Sequence, residues 1–167
     1  ESRTGLRLPP DFQQRYRSLL LSRMQEELKP MPGVERVLAA ISAPYCLATS
    51  SSPERLATSL QATRLSAYFQ GRCFTASEVS NGKPAPDLFL HAARRMNCEA
   101  KACLVIEDSE MGIRAAHNAG MSVWHFVGGG HVEDGYELPP DLQVDAVVAD
   151  MASLQLAMAE RGLCRIG

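Results

Sequence analysis

The sequence predicts an α/β fold, in which a mostly parallel sheet is flanked by helices. Two observations carry this prediction. Short apolar runs alternate with amphipathic segments after residue 33, which is the pattern of βαβ units. Hydrophobic residues make up 46% of the 167 residues, enough to build the core of one ordinary domain. We therefore expect one principal α/β unit with its helices packed on the sheet.

The first predicted element is an amphipathic helix over residues 11–28. A Pro-Pro-Asp start signal precedes it, and its apolar residues recur at helical spacing: Phe12, Tyr16, Leu19, Leu20, Met24 and Leu28. Pro30 and Pro32 lack backbone donors and cannot continue the helix. We expect a hinge at residues 30–33, with residues 1–30 outside the α/β unit of residues 31–167.

The remaining elements follow this hinge in order. We predict strands near residues 45–49, 72–75, 103–107, 122–127 and 145–148, and helices over residues 33–42, 54–63, 86–97, 110–119 and 151–161. Asp87 and Glu110 lie near the predicted starts of two helices, where negative charge suits the helix dipole. Ligands of open parallel sheets bind beyond the carboxyl ends of the strands, so the residues after each strand are the candidates for function.

Composition narrows the classes of partner. Seventeen basic and 19 acidic residues give a net charge of -2, which argues against nucleic acid and leaves small charged metabolites. Five cysteines form no Cys-x-x-Cys pair, which favours reduced thiols and no zinc. No apolar run approaches the roughly 20 residues that span a bilayer, and residues 1–10 do not resemble a signal peptide. We expect a cytoplasmic protein, a monomer, without a membrane partner.

Hydroxyl groups end the first predicted strand. Thr49, Ser50, Ser51 and Ser52 follow its apolar residues and precede a predicted helix. Hydroxyls and the N–H groups of a helix start together form a cradle for phosphate oxygens. The alternative is that these residues only cap the helix, since serine and threonine are favoured there.

A lysine lies in a proline-rich loop between the second strand and the next helix. Lys83 stands within Gly82-Lys-Pro-Ala-Pro-Asp87, and the two prolines restrict the loop. A lysine held in this way loses less conformational entropy when it binds an anion. The alternative is a solvated lysine beside a helix that begins with proline.

Two adjacent acids end the third predicted strand. Glu107 and Asp108 follow an apolar run, and Ser109 comes next. Neighbouring carboxylates repel each other unless a cation or a basic group lies between them. Oxygen ligands of this kind suit Mg²⁺, which takes few protein carboxylates and completes its shell with water and phosphate. Asp108 or Ser109 is also a candidate cap for the next helix, and a cap and a metal site can coexist.

The order of these three blocks resembles the second, third and fourth motifs of the haloacid dehalogenase superfamily, in its β-phosphoglucomutase-like branch. The resemblance extends from Met31 to about Ala157, and its most specific blocks are Lys83-Pro-Ala-Pro-Asp87 and Glu107-Asp-Ser-Glu-Met-Gly-Ile-Arg-Ala-Ala116. It implies a Rossmann-like core. It also implies that Thr49, Ser50 and Ser51 bind the transferring phosphoryl group, that Lys83 neutralises its charge, and that Glu107 and Asp108 bind Mg²⁺. Thr49 and Lys83 are thus the predicted catalytic residues.

The sequence departs from the family in one respect. Members begin with a strand that ends in Asp-x-Asp-Gly-Thr, whose first aspartate is the nucleophile, and these 167 residues contain no such motif. We expect that residues 1–30 are the end of a helical cap, that the core lacks its first strand, and that the nucleophile lies upstream. Unpaired strand edges should then flank the gap, and this chain alone should have negligible covalent catalysis.

The resemblance implies a Mg²⁺-dependent phosphatase that acts on a small phosphorylated metabolite, with sugar phosphates as the expected class. The implied reaction proceeds through an aspartyl-phosphate intermediate. A phosphosugar mutase of the same family and a non-catalytic phosphate-binding protein are the alternatives. A dinucleotide-binding oxidoreductase is disfavoured, because Gly128, Gly129 and Gly130 come late in the chain and lack the Gly-x-Gly-x-x-Gly spacing.

Overall fold

The computed structural model describes residues 8–130 and 138–165, so residues 1–7 of the predicted N-terminal unit lie outside it. The helices are α1 (Phe12–Glu27), α2 (Val34–Ala40), α3 (Pro53–Ala62), α4 (Asp87–Arg95), α5 (Glu110–Asn118) and α6 (Met151–Glu160). The strands are β1 (Leu47–Thr49), β2 (Cys73–Thr75), β3 (Leu104–Glu107), β4 (Ser122–Phe126) and β5 (Ala146–Val148). The predicted α/β fold is confirmed, and each predicted helix and strand is present.

Three short 3-10 segments were not predicted. They span Ser66–Phe69, Ala76–Glu78 and Ala100–Ala102. A single turn leaves no repeated apolar spacing, so hydrophobic periodicity cannot reveal it. All three lie between an α-helix and a strand, where they close the connections of the α/β units.

The strands are parallel but form two sheets. β1 pairs with β2, with Leu47 opposite Cys73, while β3, β4 and β5 form the second sheet in that order. The division falls between β1 and β3, and each has a single strand neighbour within the described part of the chain. The missing first strand predicts strand edges at this place. Ile106 of β3 is correspondingly 39% exposed.

A shared core joins the two sheets. Helix α5 contributes fully buried residues such as Ile113, and β4 contributes Val123. Ala48 of β1 packs against this cluster and also against a second cluster around Phe74 and Leu88. Burial of apolar surface around β1 therefore holds the sheets in one unit, although no described strand of one sheet pairs with a described strand of the other.

Helix α1 lies on the surface. None of its residues is buried, and the apolar residues Tyr16 and Leu19 are 59% and 60% exposed. It packs against α3, where Arg17 donates a hydrogen bond to Glu54 at 2.6 Å. Gly33, with a φ of 83°, ends the predicted hinge and precedes α2. No helix within residues 8–130 and 138–165 is long and apolar enough to cross a membrane.

Candidate active site

The loop that carries Lys83 is fixed at both ends. Asp87, the first residue of α4, accepts hydrogen bonds from the backbone N–H of Asn81 at 3.2 Å and from its side-chain amide at 3.0 Å. On the other side, the Asn118 side chain of α5 donates to the carbonyl of Pro84 at 2.9 Å. The loop is therefore connected to two helices, which supports the prediction of a restrained lysine.

Lys83 forms a buried ion pair with Glu107. Their side chains are only 10% and 9% exposed, and the ammonium group also lies 4.7 Å from the centre of the Phe89 ring. Each residue is predicted at the site from the sequence, but the pair between them is not. Lys83 thus supplies the basic partner that compensates the charge of Glu107, one of the two adjacent acids.

The second oxygen of the Glu107 carboxylate binds the turn that follows β3. It accepts the backbone N–H groups of Asp108 at 3.0 Å and Ser109 at 3.2 Å, and the Ser109 hydroxyl at 2.9 Å. Burial acts to raise the pKa of Glu107, but the charge of Lys83 and the hydrogen bonds from Lys83 and Ser109 outweigh it and hold this pKa below its ordinary value. Glu107 is thus ionised at neutral pH.

The start of α5 is built around this carboxylate. Ser109 is the N-cap, and its hydroxyl accepts the N–H of Gly112 at 3.2 Å, so the capping role considered from the sequence is confirmed. Gly112 lies directly against Glu107, and a Cβ atom at this position would collide with the carboxylate. The glycine is therefore required by the close approach of Glu107 to the helix.

His125 is a residue of this site that the sequence analysis missed. It lies opposite Glu107 in the pairing of β3 with β4, is 3% exposed, and forms a hydrogen bond with the backbone of Asp108. Burial lowers the pKa of His125, although the bond to Asp108 and the charges of Asp108 and Glu107 oppose this shift. Strand register brings it there, and no local motif in the sequence signals that register.

The hydroxyl residues form a separate group at the end of β1. Thr49 accepts the N–H of Ser51 on its side-chain oxygen at 3.1 Å, while Ser52 caps α3 by accepting the N–H of Arg55 at 3.3 Å. Helix capping is thus confirmed for Ser52. Within the residues that the structure describes, no hydrogen bond joins Thr49, Ser50 or Ser51 to Lys83.

Two carboxylates stand at the end of β3, those of Glu107 and the exposed Asp108. No group of three or more histidine, cysteine or acidic residues arranged to hold a metal is found among the described residues. Asp108 is the exposed carboxylate that fits Mg²⁺, because this ion commonly binds one or two carboxylates and takes its other ligands from water and phosphate, whereas both Glu107 oxygens already accept hydrogen bonds and leave Glu107 to act directly or through water. Further oxygen ligands would have to complete such a site.

Comparison with known proteins gives the family. Residues 7–120 match the family model of haloacid dehalogenase-like hydrolases, which is more than half of the chain. The chain belongs to this family. Its lysine loop and its acid pair both lie within the matched residues, so the family assignment and the site geometry concern the same part of the molecule.

Two relatives and one solved structure are among the proteins similar to this haloacid dehalogenase-like chain. It is 29% identical to a 6-phosphogluconate phosphatase of Escherichia coli, and the match covers 70% of this chain and 52% of that protein. It is 43% identical to a "Probable pseudouridine-5'-phosphatase" of Drosophila melanogaster, and this match covers 56% of this chain and 44% of that protein. The chain therefore spans about half the length of these relatives.

The solved structure is a haloacid dehalogenase-like protein of unknown function from Agrobacterium tumefaciens. It superposes with a TM-score of 0.83 at 29% identity, and the match covers 97% of this chain and 74% of that one. Nearly all of the present chain thus has a counterpart in the fold of another family member.

Proposed function

We propose that this chain is part of a Mg²⁺-dependent phosphatase that acts on a small phosphorylated metabolite, with a sugar phosphate as the expected class. The observation that carries the proposal is the buried pair of Lys83 and Glu107 at the carboxyl end of β3. A buried lysine held by a strand-end acid is well placed to stabilise negative charge. The phosphatase activity named for the two relatives agrees with this chemistry.

In the proposed mechanism, each group has a separate role. The Thr49 hydroxyl and the backbone N–H groups of Ser50 and Ser51 bind oxygens of the phosphoryl group, and Lys83 neutralises the charge that develops on it. Glu107 and Asp108 would hold Mg²⁺, which when bound supplies further positive charge to the phosphate oxygens. The nucleophile, an aspartate that forms the aspartyl-phosphate, belongs in this proposal to sequence upstream of these residues.

Lys83 has two anionic neighbours in this proposal. Its ammonium group, with three donors, binds Glu107 and can at the same time donate to a phosphate oxygen. Glu107 therefore fixes the lysine in position before the substrate arrives, so that little reorganisation is needed during the reaction.

The test is phosphate release by the protein expressed from its complete reading frame. We expect turnover of 6-phosphogluconate, pseudouridine 5'-phosphate or another small phosphate ester with Mg²⁺, and loss of turnover with a chelator. Lys83→Met and Thr49→Ala should each lower kcat/KM by about 100-fold or more, as the loss of one charge-stabilising donor does. Lys101→Met, at an exposed position, is the matched control and should leave turnover unchanged.

Two outcomes would support one of the alternative functions instead of a phosphatase. Conversion of a sugar phosphate to its isomer without phosphate release would identify a phosphosugar mutase. Binding of phosphate without turnover, in the complete protein, would identify a non-catalytic phosphate-binding protein. For the 167-residue chain alone, we expect negligible turnover, because Lys83 and the acid pair supply charge stabilisation but no nucleophile.

A further inference from the structure

Two cysteine thiols meet at one carbonyl group, away from the proposed active site. The Cys98 and Cys103 thiols both donate to the backbone oxygen of Glu99, at 3.6 Å and 3.3 Å. The two side chains are also close enough for Cys98 to influence the ionisation of Cys103. The sulfur atoms are therefore neighbours in the folded chain, although the sequence offers no Cys-x-x-Cys motif.

Two backbone turns create this arrangement. Helix α4 ends with Asn97 in the left-handed region, at a φ of 53°, and the N–H groups of Asn97 and Cys98 bond to the carbonyls of Arg94 and Ala93. This is a Schellman ending, which fixes Cys98 just beyond the helix. A 3-10 turn at Ala100–Ala102 then brings the chain back, and Cys103 N–H bonds to Ala100. The turns place both cysteines at Glu99, and Cys103 also packs against the core cluster that contains Val123.

The two thiols differ in accessibility. Cys98 is exposed, whereas Cys103 is half-buried at the start of β3. The pKa of Cys103 is raised to about 11, chiefly by burial, with smaller contributions from the neighbouring Cys98 and Cys46. An oxidant therefore meets Cys98 first.

We propose that Cys98 and Cys103 form a redox-active pair, which a low-molecular-weight disulfide such as glutathione disulfide converts into an intramolecular disulfide bond. The Cys98 thiolate attacks one sulfur of glutathione disulfide and releases the first glutathione thiolate. The Cys103 thiolate then attacks the Cys98 sulfur, forms the protein disulfide and releases the second. The protein dithiol loses two electrons, glutathione disulfide gains them, and the two thiol protons pass through solvent to the released thiolates.

The bond would join the end of α4 to the start of β3. These are the two elements whose opposite ends carry the site: the Lys83 loop leads into α4, and Glu107 ends β3. The inference does not depend on the proposed phosphatase activity, because it rests on the positions of the two sulfur atoms.

The experiment treats the folded 167-residue chain with glutathione disulfide, alkylates the remaining thiols and maps the product by mass spectrometry. Trypsin cleaves after Arg95, Lys101 and Arg114, so the disulfide links peptides 96–101 and 102–114. We expect two of the five thiols to be lost, with this linked pair as the main product, and a faster reaction as the pH rises.

Three variants make the result specific. Cys103→Ser should stop at a glutathione adduct on Cys98, and Cys98→Ser should leave Cys103 unmodified. The double variant Cys46→Ser with Cys73→Ser removes two half-buried thiols, of which Cys46 lies near Cys103, and should still form the linked peptides. A stable glutathione adduct on wild-type Cys98 with Cys103 still reduced would overturn the proposal, and so would a disulfide that maps to Cys46 or Cys73.

Discussion

At the scale of single residues, the ion pair between Lys83 and Glu107 links stability to the site. Both side chains are about nine-tenths buried, so neither charge is well solvated when its partner is removed. A buried charge that loses its partner is strongly destabilising, by about 3–5 kcal/mol. The main effect of the pair on stability is therefore that neither Lys83 nor Glu107 can be removed alone without a large loss of folding free energy.

We predict that Lys83→Met lowers the free energy of unfolding by about 3 kcal/mol or more, because the Glu107 carboxylate stays buried without its cation. Urea unfolding measures this change. Lys101→Met is the matched control, and as an exposed substitution it should change stability by less than about 0.5 kcal/mol. Equal effects of the two variants would show that the pair is not buried in solution.

Gly112 provides a second test at this scale. Alanine at this position would place a methyl group on the Glu107 carboxylate, although alanine is the better helix former. We expect Gly112→Ala to destabilise the protein by about 1–3 kcal/mol, as overpacking does, and to weaken Mg²⁺ binding measured by calorimetry. Gly82→Ala is the control, because no atom lies within 4 Å of the position its Cβ would take. A neutral Gly112→Ala would contradict the close approach.

At the scale of elements, side-chain caps specify the starts of α3, α5 and α6. Asp150 caps α6: its carboxylate accepts the Ser153 N–H at 2.7 Å, and the Ser153 hydroxyl accepts the Asp150 N–H at 3.1 Å. The hydrogen bond from the Ser153 backbone lowers the pKa of Asp150. A carboxyl group with a lowered folded-state pKa stabilises the fold above its ordinary pKa, and this contribution is lost as the pH falls through the lowered value.

We predict that Asp150→Ala is less stable than the wild type near neutral pH and that the difference shrinks as the pH falls below about 4. Asp150→Asn separates capping from charge, since asparagine also accepts the N–H of a first turn but does not titrate. Unfolding curves over a pH series measure both effects. A stability loss in Asp150→Ala that does not vary with pH would exclude the ionised cap.

At the scale of the whole molecule, the division of the strands into two sheets has a consequence for local stability. β1 is three residues long and has β2 as its single strand neighbour in the described part of the chain, whereas β4 is bonded on both sides and is largely buried. Strand edges with exposed backbone groups open more readily than central strands. The two sheets should therefore differ in their opening free energies.

We predict that backbone amides of β4 exchange with solvent markedly more slowly than those of β1. Hydrogen exchange followed by NMR resolves the individual amides. Trp124 and Val123, which are 1% exposed, provide the internal reference for full protection. Protection of Ala48 equal to that of Trp124 would show that β1 has a second neighbour in solution.

The order and type of the elements follow from the sequence alone. Alternating apolar runs and helical periodicity are local patterns, and they predicted the five strands and six helices. The blocks at Thr49, Lys83 and Glu107 could also be recognised in the sequence as candidate site segments, because each combines a strand end or a proline loop with polar residues. The assignment of residues 1–30 to a cap and the functional roles of these blocks remain predictions.

Which of these groups are in contact depends on the tertiary structure. Lys83 and Glu107 are 24 positions apart, and neither helical nor strand periodicity relates residues at that separation. The position of His125 opposite Glu107 depends on strand register, which a one-residue shift would change. The contact of Gly112 with Glu107 and the meeting of Cys98 with Cys103 likewise depend on how turns fold back on their strands. Local patterns specify elements, whereas contacts between distant residues follow from how those elements pack together.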